Sequence, residues 1–113
     1  MSIIRLYRLI LDITAIVLFI MIYLYLISGY GLIKTSTIEE YSGGLIGRHN
    51  VYLLHLNPML RLGLILVTAL HGTTGFTLLS YRIKSRRYRL ATITFIHSVM
   101  VILTLFLLAI EFS

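Results

Sequence analysis

Charge spacing constrains this chain more than any other feature. Ile13 to Ile33 carries no formal charge between Asp12 and Lys34. Gly63 to Tyr81 is charge-free between Arg61 and Arg82, and Leu90 to Ile110 between Arg89 and Glu111. A helix needs about 20 apolar residues to cross a bilayer core. Three segments reach that length, and in 113 residues they leave little chain for a soluble domain. The expected fold is all-α: a single three-helix transmembrane domain over 1–113, with helices at about 8–33, 58–81 and 88–111, packed as a bundle. The charged fraction is 12%, where a soluble domain has about a quarter.

The run that follows Arg5 and Arg8 is too long for a signal peptide and lacks a clean small-x-small cleavage site, so it reads as a retained helix. The chain has no cysteine. Covalent c-type haem attachment, iron–sulfur ligation by this chain and disulfides are thereby excluded.

Basic residues are unevenly placed. Arg5, Arg8, Arg82, Lys84, Arg86, Arg87 and Arg89 fall on one side of the membrane; Lys34, Arg48 and Arg61 fall on the other. Cytoplasmic loops carry the Lys/Arg excess, which predicts an inside N-terminus and an outside C-terminus in the cell membrane. "RIKSRRYR" reads as this topology signal with anionic-lipid contact, not as a nucleic-acid patch. In the outer loop, "YSGGLIG" is a turn region and "VYLLHL" an apolar strip on the interface. Asn57 followed by Pro58 reads as an N-cap with proline at the first helical position, so the second long helix begins near Pro58.

Four histidines punctuate the chain: His49, His55, His71 and His97. The last two fall inside apolar segments, where an ionisable group marks a functional site by default. His71 lies roughly 16 Å, and His97 roughly 12 Å, from the basic face by helical rise. Two imidazoles at nearly one depth suit the axial ligands of a b-type haem, which needs no covalent motif. Gly72 and Gly75 beside His71 leave room for a flat macrocycle; small residues in membrane helices equally serve close helix packing. A hydrogen-bonded structural histidine and a proton relay are the other readings of His71. Direct packing of the two helices is too close for one iron between them, so they splay, lie diagonally, or each histidine takes a partner from another subunit. His49 and His55 read as loop histidines, with a second haem near the outer face left open.

These residues are similar to a known family. "LHGTTGF", with His71 and Gly75, followed by the Tyr-containing basic turn "SYRIKSRRYRL", resembles the small cytochrome b membrane-anchor subunits of succinate dehydrogenases and fumarate reductases. "DITAIVLFIMIYLYLISGYG" is similar to that family's opening helix. The resemblance implies haem b ligated by His71 and shared with a partner anchor. It also implies hydrophilic redox subunits at the cytoplasmic face and exchange with quinone. Of the family's quinone-binding Asp-Tyr pair only Tyr81 has a match, displaced toward the histidine, with Ser80 in place of the aspartate. A helix-three histidine such as His97 departs from the family pattern.

Arg8 and Asp12 are four apart on one helix face. They read as a helix-end pair with a snorkelling arginine, level with Tyr81, or as a quinone or haem-propionate contact. Ser98 reads as bonded to backbone carbonyls and Arg61 as an interface anchor. The leading expectation is a haem b membrane-anchor subunit passing electrons between cytoplasmic redox subunits and quinone, with no catalytic residue of its own. The alternatives are a cytochrome b subunit of a hydrogenase, formate dehydrogenase or other membrane oxidoreductase, and a cofactor-free accessory helix bundle.

Overall fold

The computed structural model describes residues 2–113 and contains five helices among them: α1 (Ile3–Ile33), α2 (Thr35–Tyr41), α3 (Arg48–His55), α4 (Pro58–Ser80) and α5 (Arg86–Glu111). Helices α1, α4 and α5 are long and apolar enough to cross a membrane. Two of them begin earlier than expected, α1 at Ile3 instead of about 8 and α5 at Arg86 instead of about 88. The reason is physical. Arginine ends a hydrophobic run but is a good helix former, so the helix continues into the charged segment.

The start of α4 follows its sequence signal. Asn57 Oδ1 accepts hydrogen bonds from the backbone N–H groups of Met59 (2.9 Å) and Leu60 (3.3 Å), with Pro58 at the first helical position. At its other end, Tyr81 N–H, Arg82 N–H and Ile83 N–H turn back to the carbonyls of Leu78, Leu79 and Ser80. That tight turn sends α5 back along α4. Gly43 (φ 63°) and Gly44 (φ 83°) carry the turn after α2 in a backbone region that side chains disfavour.

Among the three long helices α4 is the middle member, packed extensively against both α1 and α5. α5 has no buried residue at all. Small residues on α4 draw in both neighbours: a methyl added at Gly63 would meet Met21 Cε at 3.0 Å on α1, and one at Gly72 would meet Met100 Cε at 2.9 Å on α5.

The segment expected to lie as a strip on the interface is instead helical and folds back on α1. Val51 of α3 is 1% exposed, the one buried apolar side chain among the described residues. It seats against Gly31, where an added methyl would lie 2.5 Å from Val51 Cγ2 and 3.2 Å from its Cβ. Because Val51 Cβ itself is so close, no rotamer change relieves the clash. Gly31→Ala should lower the stability of the detergent-solubilised protein by about 1–3 kcal/mol, as overpacking does. An unchanged thermal midpoint would show that α3 is not held there.

Candidate functional site

The registers of the long helices fix the depth of each polar group. On α1 and α4, Leu11 faces Gly75, Thr14 faces His71 and Met21 faces Gly63. On α4 and α5, Gly72 faces Met100, and Arg61 pairs with Glu111 at 2.7 Å. Arg61 makes the one ion pair among the described residues and also donates to the Leu56 carbonyl at 2.8 Å. It thus clamps the ends of α3, α4 and α5 remote from the basic loop.

His71 is tied to α1. Its Nδ1 lies 3.0 Å from Thr14 Oγ1. Thr14 is 7% exposed, and its hydroxyl donates to the Ile10 carbonyl at 2.7 Å, with the Leu11 carbonyl at 3.1 Å. With that proton on the backbone the hydroxyl accepts, and the Nδ1–H tautomer of His71 donates to it and leaves the lone pair on Nε2. No hydrogen bond engages Nε2 among the described residues, and the atom is not enclosed. The residue lines a groove with Gly72, Gly75, Phe76 and Leu79. An imidazole held at Nδ1 with Nε2 presented is the arrangement found where histidine ligates a metal.

The two glycines thin the groove and also let helices approach. A methyl at Gly75 would meet Leu11 Cδ1 at 3.3 Å, as one at Gly72 would meet Met100. These contacts support the packing reading: the space beside each glycine is taken by a neighbouring helix's side chain.

His97 stands elsewhere. Its Nδ1 donates to the Ile93 carbonyl one turn back at 2.8 Å, which again leaves Nε2 as the lone-pair nitrogen. Counting from the Gly72–Met100 contact, His97 is level with Gly75, about 6 Å nearer the basic end than His71. It lines a groove of ≈ 440 Å³ between α4 and α5 with Leu66, Ala69, Leu70, Thr73 and Met100. That groove shares no residue with the groove of His71. The depths nearly match, yet the two rings are not brought to one site. Neighbouring Ser98 donates to the Thr94 carbonyl at 2.9 Å, as its type suggested.

At the basic end, Arg8, Tyr81 and Arg82 line a groove of ≈ 460 Å³ with Leu11, Gly75 and Leu79. Gly75 and Leu79 also line the His71 groove, so the two are continuous. Arg89 lies 5.6 Å from the Tyr81 ring centroid, in cation–π range. Ser80 and Asp12 do not line this groove. Ser80 is 3% exposed and donates to the Phe76 carbonyl at 2.8 Å. The expected Arg8–Asp12 pair does not form among the described residues. Arg8 extends toward the basic end, as a snorkelling arginine does. Asp12, next to Leu11 and hence near the level of Thr74, is exposed about 10 Å deeper than Tyr81. Its expected position level with Tyr81 is corrected accordingly.

His55, expected as a loop residue, instead ends α3 and is half-buried against α1, while His49 is exposed. His55 Nδ1 lies 3.0 Å from Ser28 Oγ, and its ring stacks on Tyr25 with centroids 4.4 Å apart. The faint signal was the short apolar run Val51–Leu56, long enough to fold back as a helix.

Comparison with known proteins identifies no relative: no family model, no curated protein and no solved structure matches this chain. The chemistry of the site rests on its own geometry.

Replacing Thr14 with Val keeps the shape and removes the acceptor for His71 Nδ1–H. Thr14→Val should destabilise the α1–α4 pair by about 1 kcal/mol, the usual scale of an interhelical hydrogen bond in a membrane. Thermal unfolding in detergent measures it; equal stability of the two proteins would mean that this bond does not form.

Proposed function

We propose that this chain is a haem b-binding membrane-anchor subunit of a respiratory complex, most like that of succinate:quinone oxidoreductase, passing electrons between cytoplasmic redox subunits and quinone. One observation supports the reading: His71, near the middle of a spanning helix, is tied at Nδ1 to Thr14, has no hydrogen bond at Nε2 among the described residues, and lines a groove. A histidine kept only to tie helices together has no need of that second nitrogen. Among the described residues no three His, Asp or Glu gather as a cage for a metal ion. Iron already held by a porphyrin needs only axial donors, so a single imidazole is enough from this chain.

His71 would hold the iron, in the groove that Gly72 and Gly75 help to line. Arg8 and Arg82, at the basic end of the continuous groove, would hold the propionates. Bound haem supplies reversible one-electron chemistry; the protein sets its ligands, burial and placement. Because His97 lines a different groove, a second axial ligand for the His71 iron comes from a partner subunit, and His97 is free to serve a separate contact. Tyr81, at the same end as Arg8, is the proposed donor to a quinone carbonyl. Exposed Asp12 at mid-depth and the bare flanks of α5 support the presence of partner subunits, since a carboxylate facing lipid is costly. Orientation follows the positive-inside rule, with the basic turn in the cytoplasm.

Two measurements test this reading. The native assembly in mild detergent should show a reduced b-type absorption band, lost in His71→Ala at unchanged subunit stoichiometry; a band identical in that variant removes the assignment. Tyr81→Phe should slow quinone-linked turnover several-fold while leaving the band intact, and unaltered kinetics would discard Tyr81. The absence of cysteine makes orientation directly readable. A membrane-impermeant maleimide on intact cells should label Ser42→Cys and spare Ser85→Cys, and the reverse pattern would invert the topology.

A further inference from the structure

We propose that the face of α1 turned away from α4 docks a membrane-spanning helix of a different chain, one that carries a lysine or arginine at the level of Asp12. This gives the partner subunits a surface and a chemistry, and it does not depend on the haem.

Two opposed stripes run along α1. Leu11, Thr14, Leu18, Met21, Tyr25 and Ser28 recur at steps of three and four, and each is buried or half-buried. This stripe meets the rest of the chain: Leu11 faces Gly75, Thr14 meets His71, Met21 faces Gly63, and Tyr25 and Ser28 meet His55. Leu9, Asp12, Ile16, Phe19 and Tyr23 repeat the same steps, and all are exposed. Asp12 precedes Thr14 by two residues, about 200° around the axis, so this second stripe looks the opposite way. Nothing in the chain covers it. The Phe19 and Tyr23 rings rest on each other there, with centroids 4.6 Å apart.

Lipid accounts for the apolar members of this stripe and not for Asp12. The Leu11–Gly75 and Thr14–His71 contacts set Asp12 level with Thr74, about 12 Å from the level of Arg82. A carboxylate facing hydrocarbon at that depth is costly, and such groups pair with one another or face a protein interior. Arg8, one turn back, lines the groove toward α4 and makes no ion pair with Asp12. An apolar seam at alternating steps of three and four, broken by one polar position, fixes the register and choice of a partner helix. The group that complements this one is a cation.

A second copy of the chain does not supply it. A parallel two-fold pair sets Asp12 against Asp12, and two carboxylates at one site repel. The copy's Arg8 lines its own groove. Its α4 has no Lys or Arg from Leu62 to Tyr81, and its α5 has none after Arg89. The cation therefore comes from another chain.

The test is a photo-crosslinker at the outer stripe, Ile16→benzoylphenylalanine, in native membranes, with the adduct mapped by mass spectrometry. The expected adduct is a spanning segment of another chain, with Lys or Arg about one turn from the contact. Asp12→Asn should lower its yield several-fold, and Asp12→Lys should lower it further, because like charges across an interface repel. Changing the mapped cation to aspartate should restore the yield in Asp12→Lys, a rescue that a mere folding defect would not show. An adduct to lipid alone, an adduct to a segment without Lys or Arg, or an unchanged yield in Asp12→Lys overturns the proposal. The chain has no cysteine, so Ile16→Cys reports a second copy directly; complete disulfide pairing of this chain with itself overturns the proposal as well. None of these readouts uses haem, so failure here leaves the reading of His71 standing, and an assembly without haem leaves this surface standing.

Discussion

Everything polar in this chain answers to one constraint: hydrocarbon offers no water to hydrogen-bond. A hydroxyl inside a spanning helix must find its acceptor locally, and the nearest is a carbonyl three or four residues back. Thr14, Ser28, Thr77, Ser80 and Thr104 all place their protons that way. The result is a set of hydroxyl oxygens that can accept but not donate. Where such an oxygen meets an imidazole, the tautomer of the ring follows. Thr14 and Ser28 are the two that do, and both lie on α1. At His97 a backbone carbonyl forces the same outcome. The solvent property thus bears, through the backbone, on which ring nitrogen is the donor.

Packing decides where those lone pairs look. α4 is slim at Gly63 and Gly75, which face α1, and at Gly72, which faces α5. His71 and His97 line separate grooves, and most of α5 is exposed. An isolated chain of this shape presents much apolar surface together with Asp12 at depth. Lipid accommodates the first at little cost and the second at a high one.

The sequence made axial position legible and azimuth illegible. Uncharged runs located all three spanning helices, and Asn57–Pro58 marked the start of α4 to the residue. The depths of His71 and His97, counted from the basic turn, came within a few ångströms of the helix registers. Which groove each ring faces depends on crossing geometry, and no count along one helix supplies it. The level of Asp12 depends on how α1 registers against α4, and the Leu11–Gly75 and Thr14–His71 contacts that set it are not readable from α1 alone. His55 was hidden more deeply still. Its partner is 27 residues away on another helix, and only the fold-back of α3, set by the fit of Val51 against Gly31, brings it there.

That fold-back also bears on His71, where structural and ligand roles need not compete. An eight-residue helix is not stable alone, and α3 needs a polar tie as well as the Val51 contact to stay on α1. One donor suffices for the tie, and asparagine, glutamine or threonine could supply it. Imidazole is a rigid ring with its two nitrogens on different edges, so anchoring one of them aims the other. At His71 and His55 the anchored nitrogen faces α1 and the other remains unengaged. The hydrogen bond that a structural reading takes as the whole purpose of His71 is the same bond a ligand requires to hold its direction and basicity. The two readings diverge at Nε2, and the atom that decides between them is the one the protein itself leaves without a partner.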